Sequence, residues 1–225
     1  QEASRALRFS TKKTMSIAQK LYEGIELGKD GSVGLITYMR TDSYRIADEA
    51  LQSVREYIKN NYSSEFLPHK PHYYKNAQKT QDAHEAIRPS LVTYKPQDIR
   101  KYLTPDQFKL YQLIWNRFVA SQMSPAVFDQ TTIDITGDGC TFRTRGQILK
   151  FPGFIAVYNE SKEEKEKDDD DHENGEDKLL PQLEMNEILR LLKFDKQQKF
   201  TLAPPRYSEA SLVRALEENG IGRPS

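Results

Sequence analysis

The sequence is poor in the features on which secreted and membrane proteins depend. It has one cysteine, Cys140, in 225 residues, so an internal disulfide framework is excluded and a reducing cytosol suits the chain. No apolar run approaches the ~18 residues that a membrane span needs, so we expect no membrane contact. His69 and His72 are closely spaced, but Pro71 separates them and no cysteine joins them, which argues against a zinc site.

A nucleotide-hydrolysis motif is missing as well. The nearest approach runs from Gly24 to Gly28 and Lys29. It is one residue shorter than a phosphate loop and has no serine or threonine after the lysine. Any reaction that this chain takes part in therefore has to be energetically near-neutral without nucleotide hydrolysis.

The net charge is zero, but the charge is unevenly distributed. Residues 160–178 contain eleven acidic and four basic residues, so the remainder of the chain carries a net charge of +7. The acidic stretch has low complexity and no apolar side chain, and we predict a disordered, solvated loop over 159–178. The basic remainder is compatible with a polyanionic partner.

The most informative stretch is residues 34–43, which read Gly-Leu-Ile-Thr-Tyr-Met-Arg-Thr-Asp-Ser. Its apolar, β-branched first half predicts a short buried strand. Because side chains alternate along a strand, Tyr38 and Arg40 share one face, and Thr37 and Met39 share the other. A cation beside a phenol favours the phenolate and can hold a phosphate oxygen, and attack on a phosphodiester needs both. From these residues alone, simple packing of the tyrosine is the alternative.

A second run, residues 81–90, contains a histidine and an arginine at helical spacing. His84 and Arg88 are four residues apart, so we expect them on one face of a helical turn that Pro89 ends. A histidine can donate a hydrogen bond to a phosphate or exchange a proton near neutral pH. A lone histidine is more often structural, so this run does not assign a role by itself.

Several helices are predicted from apolar spacing and capping residues. One helical pattern occupies residues 1–30 and is broken at Gly28, and another covers about 47–60. Thr104 is followed by proline and glutamine at the first and third helical positions, which predicts a helix start with a capping box. Ser208 predicts a further N-cap.

From about residue 126 the period changes to that of strands. Residues 128–135 and 140–149 alternate around a Gly-Asp-Gly turn and predict a hairpin, and residues 154–158 predict a third short strand. The predicted fold class is α+β. The segments are a mainly helical domain over 1–124, an antiparallel β segment over 125–158, the acidic loop over 159–178, and a strand and helix segment over 179–225.

Three runs, in order along the chain, resemble the signatures of type IA DNA topoisomerases. They are residues 34–43, 81–90 and 204–225, and the similarity extends over most of the chain outside the acidic segment. The methionine before Arg40 is typical of the bacterial topoisomerase I branch. The resemblance implies that the chain is part of the type IA toroid and carries its active-site tyrosine.

The resemblance also implies a mechanism. Tyr38 attacks a phosphate of single-stranded DNA and is joined to the 5′ phosphate, Arg40 steadies the developing charge, and His84 supports the site by hydrogen bonding. In the family, residues corresponding to 204–225 lie along a groove for single-stranded DNA. The residues assigned to nucleic-acid binding are Arg40, Asp42, Arg88, Arg206, Arg214, Arg223 and Ser225.

In this family, Mg²⁺ and a general-acid glutamate belong to a Toprim domain that precedes the present region. No equivalent of that domain occurs in the 225 residues. We therefore expect no metal site here, and a piece of a longer protein that neither cleaves nor relaxes DNA alone. Its expected partners are single-stranded or negatively supercoiled DNA and the Toprim region. The resemblance implies a bacterial, cytoplasmic, nucleoid-associated enzyme, which we expect to be a monomer.

Two other functions fit the residues alone. One is a non-enzymatic single-stranded DNA-binding module in which Tyr38 only packs or stacks. The other is a protein-interaction scaffold, which only the acidic loop supports. Capture of a covalent protein–DNA adduct distinguishes the enzyme from the binding module, and single-strand binding that ignores salt counts against both DNA functions.

Overall fold

The computed structural model describes residues 1–75, 84–159, 180–198, 200–201 and 203–221. The helices in these residues are α1 (Glu2–Leu7), α2 (Thr11–Glu23), α3 (Asp48–Asn61), α4 (Pro96–Ile99), α5 (Pro105–Ser121) and α6 (Glu209–Glu218). The strands form two two-stranded sheets. They are β1 (Ile25–Glu26) with β2 (Ser32–Val33), and β3 (Val127–Gly137) with β4 (Cys140–Phe151).

The described residues fall into two compact units. The first unit contains those of 1–127, 151–162 and 208–225, and the second contains those of 128–150 and 163–207. Helices α1 to α6 and the β1–β2 sheet belong to the first unit, which also holds Tyr38 and His84. The candidate site is therefore built within one unit.

Helix α5 is central to the first unit. The Thr104 hydroxyl accepts from the Gln107 N–H at 3.3 Å, and the Gln107 side chain accepts from the Thr104 N–H at 2.9 Å, which confirms the predicted capping box. Trp115 is buried and donates its indole N–H to the Val92 carbonyl at 3.1 Å. The fully buried side chains of the first unit include Leu21, Leu35, Val54, Ile58, Tyr111 and Val119.

The single helical pattern predicted for residues 1–30 is wrong, because the segment forms two helices and the first strand of a small sheet. Arg8 takes a left-handed backbone conformation (φ 56°) that ends α1. Ser10 then caps α2 by accepting a hydrogen bond from the Lys13 N–H at 3.2 Å. Helix α2 ends at Gly24. The φ of this glycine is 135°, a backbone conformation that residues with a side chain rarely adopt. The chain then enters β1, which runs antiparallel to β2.

Helix α3 confirms the helix predicted for about 47–60. Asp48 and Glu49 lie in its first turn, where the helix dipole favours negative charge. Leu51, Val54 and Ile58 form its buried face at the spacing of three and four that an amphipathic helix requires.

Helix α6 begins at the predicted N-cap, Ser208, whose hydroxyl accepts from the Ser211 N–H at 3.2 Å. In its first turn, the Glu209 carboxylate accepts from the backbone N–H of Thr11 at 2.7 Å and from the Thr11 hydroxyl at 2.9 Å. This carboxylate therefore joins the start of α6 to the start of α2.

The second unit contains the predicted hairpin. Strands β3 and β4 are joined by Asp138 and Gly139, whose φ values of 48° and 78° match a tight two-residue turn. Arg143 donates to the Asp134 carboxylate at 2.7 and 2.8 Å, and this hydrogen bonding lowers the pKa of Asp134. The alternating pattern thus identified the hairpin correctly.

The strand predicted for residues 154–158 is wrong. The stretch begins instead with a 3₁₀ turn, Gly153–Ala156, in the first unit. Gly153 has a φ of 49° and is packed against the backbone of Ser124 and Pro125, and the Phe154 N–H donates to the Ser124 carbonyl at 2.9 Å. This close backbone packing bends the chain where the apolar pattern alone indicates an extended path.

The strand expected within 179–225 is also absent from the residues of that range which the structure describes. Met185 and Ile188 are 92% and 95% exposed, so this part of the second unit lacks the packed face that a strand needs. From residue 160 onward, the predicted acidic loop lies outside the described residues.

The fold class is α+β, as predicted. Helices form most of the first unit, and the strands form small antiparallel sheets. In the described ranges, no helix combines the length and the apolar character that crossing a bilayer requires.

Candidate active site around Tyr38

Tyr38 follows a short extended segment that is held on both edges. On one edge, the Leu35 N–H donates to the Leu21 carbonyl at 2.7 Å, at the end of α2. On the other edge, the Leu35 carbonyl accepts from the Ser90 N–H at 3.0 Å. Ile36 forms an antiparallel bridge with the proline before Ser90, and the side chains of this isoleucine and this proline are both buried. The predicted buried strand is therefore an extended segment limited to these pairings.

Thr37 joins this segment to the second run. Its N–H donates to the Arg88 carbonyl at 2.9 Å, and its hydroxyl accepts from the Arg88 N–H at 3.0 Å. The same hydroxyl donates to the Ala86 carbonyl at 2.7 Å. These bonds on one threonine hold residues 84–90 beside Tyr38.

Side chains alternate beyond Thr37, as the strand pattern predicts. Met39 is buried, whereas Arg40 is exposed and the Tyr38 side chain is 39% exposed. The Arg40 guanidinium makes no hydrogen bond or ion pair with any residue in the described part of the chain. Its donors are therefore available to a ligand on the same face as the phenol.

Two rings flank the ring of Tyr38. Tyr22, in the last turn of α2, lies 5.3 Å away between ring centroids at an interplanar angle of 63°. His84 lies 6.1 Å away at 62°. Both are edge-to-face arrangements, which aromatic rings prefer. The structure thus brings the predicted histidine to the predicted tyrosine and adds a second tyrosine.

The helical turn predicted for His84 and Arg88 is wrong. None of the residues 84–90 is helical, and both backbone groups of Arg88 bond to Thr37 instead. Backbone groups used by a neighbouring segment cannot also form the internal bonds of a helix, so the chain here is extended. His84 reaches Tyr38 because its loop pairs with the strand, rather than because of helical spacing.

The guanidinium of Arg88 is engaged within its own loop. Nε and Nη2 donate to Glu85 Oε2 at 2.9 and 2.7 Å, and Nη1 donates to the carbonyls of Pro89 and Ser90 at 3.0 and 3.3 Å. The Arg88 side chain is only 11% exposed. These four hydrogen bonds make Arg88 a brace of the loop that carries His84.

Short turns built on hydroxyl groups lead from the strand toward α3. The Ser43 N–H donates to Thr41 Oγ1 at 3.0 Å, and the Arg45 N–H donates to Ser43 Oγ at 3.2 Å. Serine and threonine hydroxyls stabilise such bends by replacing a backbone acceptor. Asp42 is exposed within these turns, on the solvent side of buried Ser43.

The other predicted DNA contacts divide between described and undescribed residues. Arg214 is exposed on α6, where its Nε donates to Glu218 Oε1 at 2.9 Å. Arg206 is exposed in the second unit. Arg223 and Ser225 lie outside the described residues.

Three residues of this arrangement have no role in the predictions from sequence. Thr37 bonds to the backbone of Arg88, Glu85 accepts from the Arg88 guanidinium, and the Tyr22 ring packs against the ring of Tyr38. The one available signal concerns Thr37, because a polar side chain on the buried face of a strand requires a hydrogen-bond partner. Nothing in the spacing identifies the other two.

Within the described ranges, no three His, Cys, Asp or Glu side chains converge on a point where they could hold a metal ion. The described residues therefore offer no donor set for the Mg²⁺ that the resemblance implies.

The chain is similar to known proteins along nearly its whole length. The family model described as DNA topoisomerase matches residues 1–225. The DNA topoisomerase 1 proteins of two Xylella fastidiosa strains, Temecula1 and 9a5c, are each 49% identical over 227 residues, which cover 100% of this chain and 27% of the relative. Full-length topoisomerase I from Thermotoga maritima matches in structure with a TM-score of 0.70 and 37% identity, over 99% of this chain and 34% of that one.

The matched lengths show how much of the relatives this chain represents. It spans 27% of the curated relatives and 34% of the solved chain. The family model's match spans residues 1–225, a range that includes both the strand with Tyr38 and the loop with His84. The chain therefore belongs to the DNA topoisomerase family, in its type IA, bacterial topoisomerase I branch.

Proposed function

We propose that this chain supplies the attacking half of a type IA DNA topoisomerase. The whole enzyme cuts and rejoins one DNA strand through a 5′-phosphotyrosyl intermediate and so relaxes negative supercoils. The observation that supports the proposal is the exposure of the Tyr38 phenol. Tyr38 follows an extended segment that is hydrogen-bonded on both edges, and the centroid of the His84 ring lies 6.1 Å from that of its own ring. A packing tyrosine looks different: Tyr111 is fully buried and donates to the Tyr94 carbonyl at 2.7 Å.

The proposed step exchanges one ester for another. The Tyr38 oxygen, after losing its proton to water, forms a bond to a phosphorus of single-stranded DNA, and the bond from that phosphorus to the 3′ oxygen breaks. The 3′ oxygen takes up a proton and becomes a hydroxyl group. After the other strand passes through the gap, this hydroxyl gives up its proton and attacks the same phosphorus. The bond from phosphorus to the Tyr38 oxygen then breaks, which restores the DNA and the Tyr38 phenol. Because one phosphodiester replaces another, no nucleotide is consumed.

The neighbouring residues have separate roles in this step. Arg40 lies on the exposed face beside Tyr38 and can donate two parallel hydrogen bonds to the phosphate, where negative charge develops. His84 donates a further hydrogen bond to the same phosphate. Arg88 acts by bracing the loop that carries His84. The further proposed DNA contacts are Asp42, Arg206, Arg214, Arg223 and Ser225.

The rest of the protein completes the site. The Toprim region supplies the general acid for the leaving 3′ oxygen, and bound Mg²⁺ supplies positive charge for the phosphates. The 225 residues hold the nucleophile without these groups, so they do not cleave DNA by themselves. We propose that the whole protein works as a monomer on negatively supercoiled or single-stranded DNA at the nucleoid of a bacterial cytoplasm.

The test is capture of a covalent adduct. The whole protein, or this chain mixed with the preceding region, is incubated with a labelled single-stranded oligonucleotide and resolved under denaturing conditions. We expect label on the wild-type protein and none on the Tyr38→Phe variant, which keeps the ring and its contacts with Tyr22 and His84. Tyr73→Phe is the matched control, because Tyr73 is 74% exposed and lies outside the site.

The other outcomes discriminate among the alternatives. An adduct that persists in Tyr38→Phe assigns the nucleophile to another residue. Salt-sensitive single-strand binding with no adduct in any mixture favours the non-enzymatic DNA-binding module. Relaxation of supercoiled plasmid by the 225 residues alone refutes the proposed division of the active site.

A further inference from the structure

A second tyrosine lies in the site, and the proposed chemistry does not use it. The Tyr22 ring is 5.3 Å from that of Tyr38, edge to face at 63°. The two side chains are 40% and 39% exposed. Ile17, Ala18 and Leu21 form the buried face of α2, so Tyr22 projects from the edge of that face rather than from the core.

Backbone contacts fix the origin of the Tyr22 side chain relative to Tyr38. Gly34 approaches the Tyr22 carbonyl so closely that a Cβ on this glycine would lie 2.7 Å from the carbonyl oxygen. The next residue, Leu35, donates its N–H to the Leu21 carbonyl at 2.7 Å. The end of α2 and the strand that leads to Tyr38 are thus joined backbone to backbone, and the separation of the two rings is set by the fold.

We infer that Tyr22 is a positioning residue for the nucleophile, an inference that rests on the proposed function of Tyr38. The ring of Tyr38 lies against Tyr22 and against His84, and the two contacts limit its rotation. Attack on phosphorus requires the phenol oxygen in line with the leaving oxygen, so a ring that samples other orientations reacts more slowly. Tyr22 acts through Tyr38 and needs no contact with the phosphate.

The ring of Tyr22, rather than its hydroxyl, carries this effect. Within the residues that the structure describes, the Tyr22 hydroxyl makes no hydrogen bond. An edge-to-face ring contact changes the balance between ring orientations by about 2- to 10-fold. Phenylalanine preserves that contact, whereas leucine preserves apolar volume without it.

The test uses the whole enzyme with Tyr22→Phe, Tyr22→Leu and Tyr22→Ala. The first measurement is the single-turnover rate of adduct formation on a single-stranded oligonucleotide. The second is the equilibrium affinity for the same oligonucleotide, measured in variants that also carry Tyr38→Phe. We expect the leucine and alanine variants to cleave about 2- to 10-fold more slowly and the phenylalanine variant to cleave at the wild-type rate. Affinity stays unchanged in all three.

Each contrary result has a defined meaning. A wild-type rate in Tyr22→Leu overturns the inference, and so does slow cleavage by Tyr22→Phe, which would assign the effect to the hydroxyl. A loss of affinity equal to the loss of rate makes Tyr22 a DNA contact and also overturns it. If Tyr22→Ala unfolds, the leucine and phenylalanine variants still decide. Failure of the proposed function is recognised separately, because the wild-type enzyme then forms no adduct.

Discussion

Thr37 and Arg88 are 51 positions apart in the chain, yet each donates a backbone N–H to the other residue. The Thr37 N–H reaches the Arg88 carbonyl at 2.9 Å, and the Arg88 N–H reaches the Thr37 hydroxyl at 3.0 Å. Thr37 is the residue before the proposed nucleophile, and His84 is four residues before Arg88. This pair of bonds therefore determines where the histidine stands relative to the tyrosine.

Replacing Thr37 by valine is expected to destabilise the protein by about 1–3 kcal/mol, because the partly buried Arg88 N–H and Ala86 carbonyl lose their partner. Valine has nearly the same shape, so packing is preserved. The measurement is chemical denaturation followed by the fluorescence of Trp115, which is the only tryptophan and is buried in the same unit. Adduct formation by the whole enzyme should fall as well, because the loop that carries His84 is released.

Thr37→Ser is the matched control for this change. Serine retains the hydroxyl that accepts from the Arg88 N–H, so most of the stability and cleavage should be retained. Equal behaviour of the valine and serine variants would show that the hydroxyl does not hold the loop.

Gly34→Ala is expected to disrupt the joint between α2 and the strand of Tyr38. The added Cβ would lie 2.7 Å from the Tyr22 carbonyl oxygen, which is backbone and cannot rotate away. Overpacking of this kind costs about 1–3 kcal/mol. Denaturation of the variant measures the stability, and the adduct rate measures the displacement of Tyr38.

Gly137→Ala provides the comparison. Gly137 has open space where a Cβ would be added, and its φ lies outside the left-handed region. Alanine there should be neutral or raise stability by about 0.4–1 kcal/mol, since the unfolded chain loses freedom. A similar loss of stability in both variants would mean that the close approach to Tyr22 is unimportant.

Local signals in the sequence were sufficient for part of the fold. The capping box at Thr104, the N-cap at Ser208 and the turn at Asp138 each depend on residues within a few positions, and each is present. The failures involve contacts between distant segments. The chain bends at Gly153 because its backbone packs against that of Ser124 and Pro125, and the periodicity of the sequence does not encode this contact.

The candidate site shows the same division. Alternation along the strand correctly separated Tyr38 and Arg40 from Met39, but which of the two faces is exposed came from the structure alone. The spacing of His84 and Arg88 predicted the wrong local structure, because the backbone of their loop hydrogen-bonds to Thr37 rather than forming the internal bonds of a helix. Only the family resemblance associated His84 with Tyr38, and neither spacing nor resemblance assigned a role to Tyr22.

Arg40→Ala is expected to lower the rate of adduct formation by about 10²–10³-fold, the usual effect of removing a preorganised donor from a developing negative charge. Because Arg40 is exposed, stability should change by less than about 0.5 kcal/mol. Arg40→Lys keeps the charge but loses the two-pronged geometry, so its rate should be intermediate. Lys59→Ala removes an exposed charge from the last turn of α3 and should leave the rate unchanged. Equal rates for Arg40→Ala and wild type would remove Arg40 from the mechanism.

The attachment of α6 to α2 is expected to weaken in acid. Hydrogen bonds from the Thr11 backbone and hydroxyl lower the pKa of the Glu209 carboxyl. A carboxyl whose pKa is lower in the folded state stabilises the fold above its unfolded pKa, and this stabilisation is lost as pH falls through the folded pKa. The difference in unfolding free energy between wild type and Glu209→Gln should therefore be largest near pH 7 and shrink toward about pH 3. Denaturation across this range measures it, and Thr11→Val, which removes one donor, should reduce the pH dependence. A difference that stays constant with pH would show that the charge on Glu209 does not contribute to the attachment.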